Sequence, residues 1–143
     1  MELPASVSLT KTQNLIKQIR QKVINNSEVT DVHWLLGSNI PSFYYNLTGG
    51  REQQNNFAQA LIQLNSLAST SITKKLQSEL DKTFPSARII VRQLEQGPPF
   101  DAPVEMRIYG SSIEKLQSLG EQVRQILVQI KDITHTRGSL DEI

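Results

Sequence analysis

The chain has 143 residues, 15 Lys and Arg against 14 Asp and Glu, and no cysteine. That length holds one ordinary domain, or one small domain and part of another, and a formal charge of +1 gives no electrostatic footprint for nucleic acid or an anionic membrane surface. The missing cysteines exclude a disulfide framework, a thiolate nucleophile and a Cys-ligated zinc site; His33 and His135, the only histidines, leave little for a metal site or a His-based triad.

From the N-terminus, Met1-Glu2-Leu3-Pro4 offers neither the basic nor the apolar region of a signal peptide. Apolar runs are four residues or fewer, against the roughly 20 that a spanning helix requires. The first helical period is Thr12–Asn25, where Leu15, Ile16, Ile19 and Val23 make one stripe and Lys17, Arg20 and Lys22 turn away. Val29–Leu36 changes to a period of two, with Val32, Trp34 and Leu36 on one face and Asp31 and His33 on the other. Phe57–Leu64 resumes that period, setting Ala58, Ala60, Ile62 and Leu64 against Gln59 and Gln63. Ser69–Phe84 is a second helix with Ile72, Leu76, Leu80 and Phe84 at fourfold spacing, stopped by Pro85. Ala87–Leu94 predicts a third strand, Ile89 and Val91 facing one way and Arg88 and Arg92 the other.

Gln96–Pro103 then breaks the pattern with Gly97, Pro98, Pro99 and Pro103. Beyond it come a strand, Val104–Tyr109, a helix, Ser112–Ile130, capped by Ser112 or Ser111, and a short last strand, Ile133–Arg137. This order predicts an α+β fold: one ferredoxin-like split β-α-β module, its antiparallel sheet covered by helices on one face, followed by a partial second β-α-β module. The first module needs an opening strand, and only Glu2–Leu3 is available for it.

One connection is too long for a hairpin loop. Gly37–Asn56 joins two strands that a few residues could link, and it carries Phe43, Tyr44 and Tyr45. Two readings follow: a hairpin arm whose aromatics pack on the module's own core, or an apolar flap that touches ligands or a partner. Known chemistry is absent elsewhere. Neither Gly49-Gly50 nor Gly97-Pro98-Pro99 matches a phosphate loop, and no Gly-x-Ser-x-Gly elbow occurs. Glu95, Asp101 and Glu105 read as turn and strand-surface carboxylates, and the two histidines as solvated or hydrogen-bonded side chains. Arg88, Arg92 and Arg107 could decorate an open sheet face. The strands nevertheless lack the aromatic signature of RNA-recognition sheets, and the chain is not basic. The expectation is therefore no enzyme, cofactor, metal or nucleic acid.

At the break the residues become more specific. Phe84-Pro85-Ser86-Ala87-Arg88, Leu94-Glu95-Gln96-Gly97-Pro98-Pro99 and Ala102-Pro103-Val104-Glu105-Met106-Arg107-Ile108-Tyr109-Gly110 are similar to resistance-nodulation-division (RND) efflux transporters. Trp34-Leu35-Leu36-Gly37 and Pro41-Ser42-Phe43-Tyr44-Tyr45-Asn46 resemble the same family, in its hydrophobe/amphiphile exporter (acriflavin-resistance-type) branch. The resemblance runs from about Leu3 to the C-terminus. It implies a periplasmic portion of a bacterial inner-membrane, proton-driven permease. Residues 1–96 correspond to one porter subdomain, 97–103 to a Gly/Pro linker and 104–143 to part of the next.

It also implies a homotrimeric pump, with the remainder of the permease, a periplasmic adaptor and an outer-membrane channel as partners and hydrophobic or amphiphilic small molecules as substrates. In that family a flexible loop of the first subdomain gates the substrate path, and Gly37–Asn56 falls in the corresponding region. Phe43, Tyr44 and Tyr45 are the implied substrate-path residues, with Trp34 and Phe57 at the loop's roots. Gly97, Pro98, Pro99 and Pro103 are the implied hinge. Nothing in the chain resembles the family's transmembrane helices or proton-coupling residues, so the chain alone is expected not to transport. Its start at Met1 and stop within the second module fit an engineered fragment. The alternatives are a free-standing small-molecule-binding module and a subunit or adaptor interaction domain.

Overall fold

The computed structural model describes residues 1–44, 47, 49–66, 70–94, 104–131, 133 and 135–140. Its architecture is α+β, three helices and a two-stranded antiparallel sheet, and the chain divides into two compact units, Met1–Phe100 and Asp101–Ile143. Among the described residues no helix is long and apolar enough to cross a membrane.

In the first unit, helix α1 (Leu9–Ile24) starts one turn earlier than the apolar stripe indicates, because Ser8 caps it by accepting from Lys11 N. Its buried face is Thr12, Ile16, Ile19 and Val23, with Leu15 packed beside it. Strands β1 (Val29–Leu36) and β2 (Ala58–Leu64) pair antiparallel, with Val32 opposite Ile62, Trp34 opposite Ala60 and Leu36 opposite Ala58. A bulge between Val29 and Asp31 shifts the phase of β1, so Val29 and Val32 are both buried although an unbroken period of two would separate them.

Helix α2 (Thr70–Thr83) buries Ile72, Leu76 and Leu80, and Phe84 completes the stripe just past its end. These side chains join Ile19, Val23, Val29, Val32, Leu3, Ala87 and Ile89 in one core, against which Trp34, Ala60, Ile62 and Leu64 pack from the sheet.

The N-terminal segment lies between two others. Glu2 and Arg88 exchange backbone hydrogen bonds (2.8 and 2.9 Å), and Glu2 also forms an antiparallel bridge with Phe57. The resulting spatial order is the Arg88 segment, Glu2, the Phe57 end of β2, then β1.

The expected strand Ala87–Leu94 is reduced to that single bridge. Its alternation is real, since Ala87 and Ile89 are buried and Val91 packs on the core. The backbone beyond Arg88, however, bonds to a side chain of α2. Gln77 Nε2 donates to Ile89 O at 2.7 Å, and Gln77 Oε1 accepts from Val91 N at 2.8 Å. One amide thus occupies the two positions that a neighbouring strand would fill, which closes the sheet edge.

In the second unit, helix α3 (Ile113–Val128) is capped by Ser112, which accepts from Lys115 N at 3.3 Å. No residue of α3 is buried; Leu116, Gly120, Val123 and Leu127 are half-buried, and Ile113 and Ile130 are exposed. Two expected strands fail here. Val104–Tyr109 enters no ladder, and neither do the described residues of Ile133–Arg137. A period of two specifies which faces a strand presents, but a ladder needs a second backbone in register, and this unit supplies none among its described residues.

Candidate functional site

The long connection emerges from the sheet as an arm. Gly37, at φ +83°, turns the chain out of β1, a conformation that costs glycine least. Its N–H donates to Phe57 O (2.8 Å) and its carbonyl accepts from Gln54 N (2.9 Å). Asn39 holds the next rung. Its N–H donates to Arg51 O (3.0 Å), its Oδ1 accepts from Arg51 N (2.8 Å), and its Nδ2 donates to Gln59 Oε1 (3.1 Å). Gln59 Oε1 also accepts from Ile40 N at 2.9 Å, so a polar residue of β2 grips the arm's first strand-like stretch. On the helix side, Thr12 Oγ1 donates to Asn55 O at 2.7 Å, which explains why a threonine is fully buried in α1.

A charged cluster fixes the arm's returning limb. Arg51 NH1 lies 2.6 Å from Glu2 Oε1 and 3.2 Å from Gln54 Oε1, and the guanidinium stands 5.0 Å from the centroid of the Phe57 ring. Arg88 NH1 takes the other carboxylate oxygen of Glu2 at 3.1 Å. The Met1 ammonium donates to Ala58 O at 2.8 Å. Burial pushes its pKa down to about 6; the Glu2 carboxylate opposes that shift, and Arg51 and Arg88 reinforce it.

At the arm's tip the described residues make short-range bonds. Phe43 N donates to Pro41 O, Leu47 N to Tyr44 O, and Ser42 Oγ to Leu47 O at 2.9 Å. Phe43 is 61% exposed and Tyr44 half-buried. Between the arm and the start of α1 lies an open cleft of about 770 Å³. Its lining is mixed: Leu9, Leu36, Ile40 and Pro41 are apolar, Ser38, Asn39, Ser42, Gln53 and Asn55 are uncharged and polar, and Glu52 is the charged side chain among the described lining residues.

Four of the five expected substrate-path residues lie within the described residues, at three places in the first unit. Phe43 and Tyr44 share the arm's tip, while Phe57 sits under Arg51 at its base. Trp34 packs on the core from the sheet, its indole N–H buried without a hydrogen-bond partner among the described residues. None of these four lines the cleft. Tyr45 lies outside the described residues, as do the expected hinge residues Gly97, Pro98, Pro99 and Pro103. Of the three arginines expected on a sheet face, Arg88 pairs with Glu2 in the first unit and Arg107 with Glu105 in the second.

Sequence reasoning missed Glu2, Asn39, Arg51 and Gln59. Gln59 carried a signal, since it occupies the polar face of β2 beside the loop; the meeting of Glu2 with Arg51 had none, because 49 positions separate them. His33 is exposed and 3.4 Å from Asp31 Oδ2, and among the described residues no group of three His, Asp or Glu side chains could hold a metal ion. No protein-family model, curated protein or solved structure matches the chain.

Proposed function

We propose that the chain is the periplasmic substrate-path portion of a proton-driven RND efflux permease exporting hydrophobic or amphiphilic compounds. The observation that carries this is the arm. Gly37–Asn56 is anchored at its neck by Asn39, Gln59 and the Arg51–Glu2 pair, and it presents Phe43 to solvent next to a cleft of mixed apolar and uncharged polar lining with little charge. A path for varied apolar cargo calls for such a surface. Aromatic area and few fixed charges admit many shapes, whereas a set of directed hydrogen bonds would admit one.

On this reading residues 1–96 are a porter subdomain of ferredoxin-like fold. The spatial order of its segments supports that assignment: the Arg88 segment, Glu2, β2 and β1, neighbours antiparallel, is the order of a split β-α-β unit. Residues 97–103 are then the linker and 104–143 part of a second subdomain. The isolated chain does not transport. It works as part of a larger permease that is trimeric and engages an adaptor and an outer-membrane channel.

The test is made in the full-length permease. Phe43→Ala combined with Tyr44→Ala changes resistance to bulky compounds at unchanged expression, and equal resistance across a broad panel overturns the assignment. One observation favours a second reading, an arm that contacts a neighbouring subunit or adaptor: Phe43 is exposed but does not line the cleft. Cross-links from position 44 to protein rather than to substrate select that reading.

A further inference from the structure

The second unit contains a segment with the pattern of a strand and, among the described residues, no strand beside it. Arg107 Nε donates to Glu105 at 2.8 Å, and the Tyr109 hydroxyl faces the same guanidinium. Contacts at this two-residue spacing put Glu105, Arg107 and Tyr109 on one side of an extended backbone and Val104, Met106 and Ile108 on the other. Val104 is 73% exposed and Met106 61% exposed. No bridge or ladder involves Val104–Tyr109.

We propose that this segment is a self-complementary edge, pairing antiparallel with the same segment of a second copy of the chain about a two-fold axis at Met106. The charge pattern selects both partner and register. With the axis at Met106, Glu105 stands opposite Arg107 of the second copy and Arg107 opposite its Glu105, while Val104 meets Ile108 and Met106 meets Met106 on the other face. Each carboxylate then has one guanidinium along its own strand and another across the pair, an alternating square of four charges.

The competing registers lose this. An axis at Glu105 or Arg107 sets like charges opposite each other, as does an in-register parallel pair. A one-residue slip sets apolar side chains against charged ones. Pairing also satisfies backbone groups along an edge that is otherwise open. Two such short strands bury less than the roughly 1,200 Å² of a standard interface, so the association is weak and concentration-dependent. The inference concerns the second unit alone and does not rest on the efflux assignment.

Sedimentation velocity and NMR dilution of the full chain test it. The expected result is a monomer–dimer equilibrium with Kd between about 1 µM and 1 mM, with dilution shifts concentrated at residues 104–109. Glu105→Arg and Arg107→Glu each weaken self-association at least tenfold, a loss of about 1.4 kcal/mol. Both side chains are exposed, so the fold tolerates either change. An equimolar mixture of the two single variants forms a heterodimer, because an all-basic edge then meets an all-acidic one, and the double reversal restores self-association. A chain that stays monomeric at millimolar concentration overturns the proposal. So does a dimer indifferent to both reversals, or single variants that fail to pair when mixed.

Discussion

The two units use the same sequence devices and reach different degrees of burial. Each has an amphipathic helix capped by a serine, and each has a segment alternating apolar and charged residues. In Met1–Phe100, α1 buries Ile19 to 1% exposure, and α2 and β1 meet it in one core. In Asp101–Ile143, α3 carries an equally regular stripe, but Leu116, Val123 and Leu127 reach only half-burial and Ile113 stays 49% exposed; off the stripe, Ile126 is 63% exposed. The contrast teaches that periodicity specifies which face of an element is apolar, while burial depends on a complementary face supplied from elsewhere in the chain.

The sharpest way to break that comparison is a pair of matched truncations. Ile19→Ala removes a side chain enclosed by the core and is expected to cost about 2–5 kcal/mol, the range for cavity-forming substitutions. Ile126→Ala removes the same atoms from a solvent-facing position and should stay within about 0.5 kcal/mol. Trp34, the chain's single tryptophan, packs on the first core, so its fluorescence in urea reports that unit's unfolding, and far-UV circular dichroism reports helix loss in both. Equal midpoint shifts by circular dichroism for the two variants would show that α3 is covered in solution and erase the contrast.

Where the sequence was legible follows the same division. The stripes of α1, α2 and α3 and the alternation of β1 and β2 are local, and the structure places all five elements within a few residues of their sequence boundaries. What escaped is non-local. The bulge at Val29–Asp31 depends on how β1 registers with β2, and the substitution of Gln77 for a strand depends on α2 lying over Ile89 and Val91. Among candidate site residues, the arm was visible through its length and its aromatics. Its anchorage was not, because Glu2, Arg51 and Arg88 converge from three separate parts of the chain. Trp34 lies close to the loop in sequence, and its partly buried side chain packs against the core, a placement that the local pattern alone does not specify.

Gln77 gives the next largest effect. Gln77→Ala leaves Ile89 O and Val91 N without their amide partner, and the expected loss is about 1–3 kcal/mol. Hydrogen exchange at the Val91 amide should quicken while the amides of β1 keep their protection relative to global unfolding. Unchanged exchange at Val91 would mean that the clamp does not hold the segment, and the first unit's closed edge would then resemble the open one of the second.

The smallest effect concerns one surface carboxylate in each unit. Val32 N donates to Asp31 Oδ1 at 2.7 Å, and this bond, followed by the charges of His33 and Arg20, holds the Asp31 carboxyl below the usual range. Glu105 is likewise held low, first by its hydrogen bond from Arg107. A carboxyl with a depressed folded pKa contributes stability above its unfolded value, near 4, and loses that contribution as pH falls through the folded value. Asp31 ties β1 to α1 through Arg20 at 3.2 Å, so its shift belongs to the folded state of the first unit. Glu105 and Arg107 are two residues apart on an exposed segment, so unfolding the first unit leaves their pair intact. Asp31→Asn should therefore flatten the fall in the Trp34 urea midpoint between neutral pH and about pH 3, and Glu105→Gln should leave that fall unaltered. The Asp31 effect is small because its carboxylate is solvent-exposed and screened. A Glu105→Gln profile that flattened as much as that of Asp31→Asn would couple the two units, which the contrast in burial does not predict.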